Sequence, residues 1–174
     1  MRIISGKYKG KRITAPENLP VRPTTDRAKE ALFSILDSRY YFDGKNVLDL
    51  FSGTGNIAFE FSSRGVEHIT AVDSNNNCIN FIKKTSSDLE LNITSLKSDC
   101  IKYLESCEKQ FNIIFADPPY NFEEHQKIKE IIFERNLVKK DGCLIIEHDS
   151  STSFEDDNVE VRKYGTVHFS IFSF

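Results

Sequence analysis

From Gly44 onward the chain alternates short apolar runs with stretches of helical spacing, and that rhythm admits few architectures. NVLDLF, HITAVD, NITSLKSD, FNIIFAD and CLIIEH read as five strands. Between them, Gly55 to Arg64, Asn75 to Leu89, Ile101 to Cys107 and Phe122 to Arg135 read as helices. Strands joined through helices pair in parallel, with right-handed crossovers. VEVRKY and TVHFSIF flank Gly165 and read as a terminal antiparallel hairpin, which sets one strand against the rest. The expected fold is α/β: a seven-stranded, doubly wound, Rossmann-like sheet.

The first 24 residues follow another pattern. RIISG, KYKG and KRITA read as a short basic β-hairpin turning at Gly6 and Gly10, and APENLPVRP as an extended connector. A helix follows, with Ala28, Ala31, Leu32, Ile35 and Leu36 at helical spacing and Thr24 or Thr25 as its cap. The expected division is residues 1–24, a hairpin and connector outside the core, and residues 25–174, one folded domain. A chain of 174 residues has room for one well-buried core.

Charge separates the same two parts. Residues 1–30 hold eight basic and three acidic side chains; the remaining 144 hold 15 and 23. A basic arm on an acidic body fits an anionic partner that meets the arm. Arg2, Lys7, Lys9, Lys11, Arg12 and Arg22 are the candidate contacts, a solvated charged edge being the plain alternative. No apolar run approaches a membrane span of about 20 residues, and MRIISGKYKGKR lacks the apolar centre of a signal peptide. Cys78, Cys100, Cys107 and Cys143 form no CxxC pair and are expected as reduced, buried thiols of a cytoplasmic protein. The four histidines show no ligand spacing, so no metal site is expected.

Four strand ends carry chemistry. DLFSGTG, Asp49 to Gly55, lies between a strand and a helix, where glycines let a ligand approach backbone. Its GxG spacing lacks the third glycine of a pyrophosphate turn, so a dinucleotide is disfavoured. Asp73 ends the second strand, where a carboxylate can accept from ribose hydroxyls or cap the next helix. Asp99 ends the third and could take an adenine amine or, again, cap a helix. DPPY, Asp117 to Tyr120, ends the fourth. An amine on an aromatic base is a poor nucleophile because its lone pair is delocalised. A carboxylate accepting one N–H and a rigid proline carbonyl accepting the other would aim that lone pair outward. Prolines fix φ near −65°, and a tyrosine face can stack an extruded base.

Together these residues resemble the class I S-adenosylmethionine-dependent methyltransferases. MRIISGKYKGKRI, VRPTTDRAKEALFSIL, VLDLFSGTG, IIFADPPY and RKYGTVHFSIF resemble, in order and spacing, the RsmD family of guanine-N2 methyltransferases of small-subunit (16S) ribosomal RNA. The likeness covers nearly the whole chain. It implies S-adenosylmethionine as cofactor, held by Asp49, Phe51, Gly53, Gly55, Asp73 and Asp99. It implies Asp117, Pro118, Pro119 and Tyr120 as the catalytic set. The implied partner is small-subunit ribosomal RNA or a partly assembled small subunit, met by a monomer. The chain departs from the family at NIAFEF after the glycine loop, at Thr85 and at Cys100. Rival readings are an adenine-N6 methyltransferase, a non-catalytic nucleotide-binding module and a ribosome-assembly factor.

Overall fold

The structure is a computed structural model that describes residues 1–16, 19, 25–119 and 121–174. Thr24, Arg22 and Tyr120 lie outside the described residues. One seven-stranded sheet has the order β3-β2-β1-β4-β5-β7-β6. Its strands are β1 (Asn46–Leu50), β2 (His68–Asp73), β3 (Ile93–Lys97), β4 (Phe111–Ala116), β5 (Val138–His148), β6 (Glu160–Tyr164) and β7 (Val167–Ser173). The first five pair in parallel, and β7 runs antiparallel to both β5 and β6. This is the doubly wound sheet with one reversed strand that the alternation of elements predicts.

The helices are α1 (Asp26–Asp37), α2 (Asn56–Ser63), α3 (Asn76–Asp88), α4 (Cys100–Ser106) and α5 (His125–Glu134). Leu32, Phe33 and Leu36 of α1, Ile57 and Phe61 of α2 and Ile82 of α3 pack on one face of the sheet, against Val47, Ile69, Ile113, Phe115 and Ile145. Leu104 of α4 and Ile128 and Ile132 of α5 pack on the other, against Leu48, Ile114, Leu144 and Ile146. Successive strand residues alternate between the faces, which is why both alternating sets are apolar. Thr25 caps α1, its Oγ1 accepting from the Ala28 N–H at 3.2 Å.

Two expectations change. The fifth strand begins at Val138 rather than after Gly142, since a register shift between Phe111 and Ile113 lets β4 pair across the turn. Among the described residues, the N-terminal segment shows one isolated antiparallel bridge, Arg2 with Arg12. It is also not outside the core: Ile3 and Ile13 are buried in the cluster of α1 and α2. The reason is Glu60 of α2, whose carboxylate accepts the N–H groups of Ile4 at 2.8 Å and Ser5 at 2.9 Å. Lys29 on α1 donates to the Arg2 carbonyl at 2.6 Å from the other side.

Candidate active site

The chain leaves β1 in one direction along the sheet, builds β2 and β3, and returns to place β4 on the other side of β1. That reversal opens a crevice at the carboxyl ends of β1 and β4, the usual ligand position in open α/β sheets. Leu50 and Ala116 are register partners there, so the residues that follow them, Phe51 and Asp117, begin the two rims. A cleft of about 810 Å³ lies at this edge. The glycine loop supplies Phe51, Ser52, Gly53 and Thr54, β2 supplies Asp73, and the turn after β4 supplies Asp117, Pro118 and Pro119.

Hydrogen bonds fix the loop. Ser52 Oγ donates to the carbonyls of Asp49 and Val72 at 2.8 and 3.0 Å. Asp73 accepts from the Gly53 N–H at 2.8 Å and the Asn75 N–H at 2.7 Å. One lone pair on each oxygen is thereby used and one remains. The capping role belongs to Asn75, whose side chain accepts from the N–H groups of Asn77 and Cys78. Phe51 takes φ 59°, a left-handed conformation that is uncommon for a bulky residue and clusters at functional sites. Its ring meets Phe122 edge-on at 5.1 Å between centroids.

Three expected cofactor residues do not line the cleft. Gly55 starts α2 at φ 77°, and a Cβ there would meet Ile82 Cγ1 at 2.8 Å and the Phe59 ring at 3.0 Å, so its want of a side chain serves helix packing. Asp49 is fully buried and its Oδ2 has no hydrogen-bond partner among the described residues. Burial above all, then the charges of Asp117 and Asp73, raise its carboxyl well above the usual range. Asp99 caps α4, its Oδ1 accepting from the Lys102 N–H at 3.0 Å, and the residue is exposed.

The arm is also apart from the cleft. Arg2 pairs with Asp26 at 3.4 Å and Glu30 at 3.7 Å. Lys7 stands over the Tyr8 ring. Lys11 and Arg12 border a separate groove against α3. Lys9 is exposed.

The cleft also contains residues that the sequence reading did not single out. Arg27 of α1, Phe122, His125 at the head of α5, Glu147 of β5 and Tyr164 of β6 all line it. Glu147 was legible by the rule that found the other acids, since it too lies at a strand end. Burial, then Asp117, pushes its carboxyl up to about 8. Tyr164 had no local signal; only the pairing of β6 with β7 brings it here. With Asp73 and Asp117 on its wall, the cleft suits cations and hydrogen-bond donors. S-adenosylmethionine, with a sulfonium, an ammonium and two ribose hydroxyls, matches that donor set.

A family model described as Conserved hypothetical protein 95 matches residues 1–173. "Putative rRNA methyltransferase YlbH" of Bacillus subtilis is 35% identical over 182 aligned positions, covering 99% of this chain and 98% of that protein. "Ribosomal RNA small subunit methyltransferase D" of Buchnera aphidicola (subspecies Baizongia pistaciae) is 30% identical, covering 87% of this chain and 77% of that protein. Among solved structures, "Putative methyltransferase yhhF from Escherichia coli" superposes with a TM-score of 0.86 at 22% identity, over 99% of this chain and 97% of that one. It shares the fold.

Proposed function

The chain belongs to the Conserved hypothetical protein 95 family, the RsmD family, and from that premise we propose that it methylates the exocyclic N2 of a guanine in small-subunit ribosomal RNA. The observation that carries the reading is the placement of Asp117-Pro118-Pro119 beside the glycine loop at the sheet's reversal point, in a cleft walled by acids.

S-adenosylmethionine, when bound, supplies an electrophilic methyl group on its sulfonium. Gly53, Phe51 and Asp73 hold it, with the unused lone pairs of Asp73 accepting from the ribose hydroxyls. Asp49, its carboxyl raised by burial, supports the loop from behind, and Asp99 takes the adenine amine. The guanine leaves its RNA stack and enters the same cleft, stacking on Tyr120. Asp117 accepts one N2–H and the Pro118 carbonyl the other. The nitrogen becomes pyramidal and presents its lone pair to the methyl group. The bond from N2 to the methyl would form as the methyl–sulfur bond breaks and a neutral thioether leaves, and N2 would lose one proton to an Asp117 carboxylate oxygen. Most of the acceleration comes from positioning.

Arg2, Lys7, Lys9, Lys11, Arg12 and Arg22 meet phosphates, which sets register rather than sequence. Because the arm is small, the substrate is a partly assembled small subunit rather than bare RNA. The test incubates the protein and labelled S-adenosylmethionine with small subunits from cells lacking the gene, then identifies the modified nucleoside. N2-methylguanosine, absent with Asp117→Ala, is the expected result. N6-methyladenosine overturns the base, and no transfer overturns the reaction.

A further inference from the structure

A base that offers an amine to Asp117 carries a second hydrogen-bonding atom beside that amine, and a second carboxylate stands next to Asp117. We propose that Glu147 selects guanine by accepting its N1–H while Asp117 holds its N2 amine. This rests on the guanine-N2 reading above and adds the residue that sets the choice of base.

Ala116 of β4 and Ile146 of β5 are register partners on parallel strands. Asp117 and Glu147 follow them, so they sit side by side at the sheet's carboxyl edge. They point to the same face as Phe115 and Ile145, whose side chains pack with α1. Both line the cleft. Glu147 Oε2 is buried with no hydrogen-bond partner among the described residues. An unsatisfied buried acceptor is costly, and more so when charged, so this orientation is stabilised by an occupant that donates.

Guanine presents two adjacent donors, N1–H and N2–H. Adenine and cytosine each present an amine beside a bare ring nitrogen, which is an acceptor. Two neighbouring ionised carboxylates match the first pattern and repel the second. Selection through buried hydrogen-bonding groups is steep, because the wrong partner leaves them unpaired.

Protonation sets the sign of a test. Burial, then Asp117, opposes ionisation of Glu147, and Asp73 and Arg27 of α1 line the same cleft. His125 and Tyr164 border the same space, and His148 and Asp149 follow on the same strand. With its carboxyl pushed up to about 8, Glu147 is neutral near pH 7 until the proton leaves. Guanine binding to the ionised form therefore releases a proton, and kcat/KM for guanine rises with pH to a plateau above about 8. A neutral Glu147 would donate instead, which suits a bare N1.

The experiment uses small subunits carrying guanine or 2-aminopurine at the position the wild-type protein methylates. 2-Aminopurine keeps the amine but has a bare N1. Above about pH 8, where Glu147 is ionised, the wild type is expected to favour guanine at least tenfold in kcat/KM. In E147Q, whose amide both donates and accepts, the ratio falls toward one and the pH limb disappears, while S-adenosylmethionine affinity is unchanged. The wild-type base ratio and pH profile test the assignment without any variant. An undiminished ratio in E147Q, or a wild-type profile that falls through pH 8, overturns the role of Glu147 and leaves the guanine-N2 reading standing. Absence of N2-methylguanosine from the wild-type product overturns that underlying reading, and the assignment with it.

Discussion

The Glu60 carboxylate lies 3.3 Å from the Lys29 ammonium, and neither side chain reaches solvent. Charge burial of this kind is costly and persists where every lone pair and proton is satisfied. Here Glu60 also receives the Ile4 and Ser5 N–H groups and the Arg64 guanidinium, while Lys29 donates to the Arg2 carbonyl and Asn56 Oδ1. The pair is thus the clasp between the N-terminal arm and the sheet domain.

Breaking the clasp from either side has unequal cost. Lys29→Met leaves the buried Glu60 carboxylate with Arg64 as its remaining counter-charge and is expected to lose about 3 kcal/mol. Glu60→Leu strands Lys29 and also orphans two backbone donors, at about 1–3 kcal/mol each, so it ranks above Lys29→Met. Urea unfolding measures the order. Trypsin cutting at Lys7 and Lys9 should rise in both variants before global unfolding does.

Gly6 and Gly10 make a controlled comparison. Both have φ 82°, but a Cβ on Gly6 would meet the Ser63 carbonyl oxygen at 1.8 Å, whereas one on Gly10 meets nothing within 4 Å. Gly10→Ala bears only the left-handed strain of about 1–2 kcal/mol. Gly6→Ala adds a backbone collision and a threat to the Lys7 N–H to Ser63 carbonyl bond at 2.7 Å. The difference in unfolding midpoint between the two variants should be large and of one sign.

Glu147 makes stability depend on pH. Its folded carboxyl titrates near 8 against an ordinary 4.5. The folded state therefore binds the extra proton in that window, and stability falls as pH rises from about 5 through 8. Below both values the contribution is fully present. Glu147→Gln removes the titration, so its melting temperature should overtake the wild type's as pH climbs toward 8, read by calorimetry across that range.

Removing Lys7, Lys9 and Lys11 together tests the arm. Each lost phosphate contact should make the slope of log affinity against log salt shallower by about 0.7–0.9, or about 2.1–2.7 in all. Filter binding to small subunits at several salt concentrations measures it. An unchanged slope excludes these lysines from the RNA contact.

Much of this architecture could be read from local pattern. Strand and helix runs after Gly44 are periodic, and the acids that end strands sit beside turns that name themselves through Gly53 or Pro118. What escaped reading was long-range. Nothing near Glu60 says that its partners are Ile4 and Lys29, and nothing near Tyr164 says that its hairpin carries it to the cleft. Asp99 shows the converse limit, because a cap and a ligand-binding acid share one local signature. Gly55 likewise looked like room for a ligand, when the space it leaves is taken by Phe59 and Ile82.

The acids around the cleft have a consequence for competition. ATP and S-adenosylmethionine carry the same adenosine, so contacts to ribose and adenine cannot tell them apart. They differ in the group attached to the ribose, a polyanion in one and a dication with a single carboxylate in the other. Asp73 and Asp117 repel the first and attract the second. The site can therefore keep a generic nucleoside grip and still stay clear of nucleotides, its discrimination set by the sign of charge.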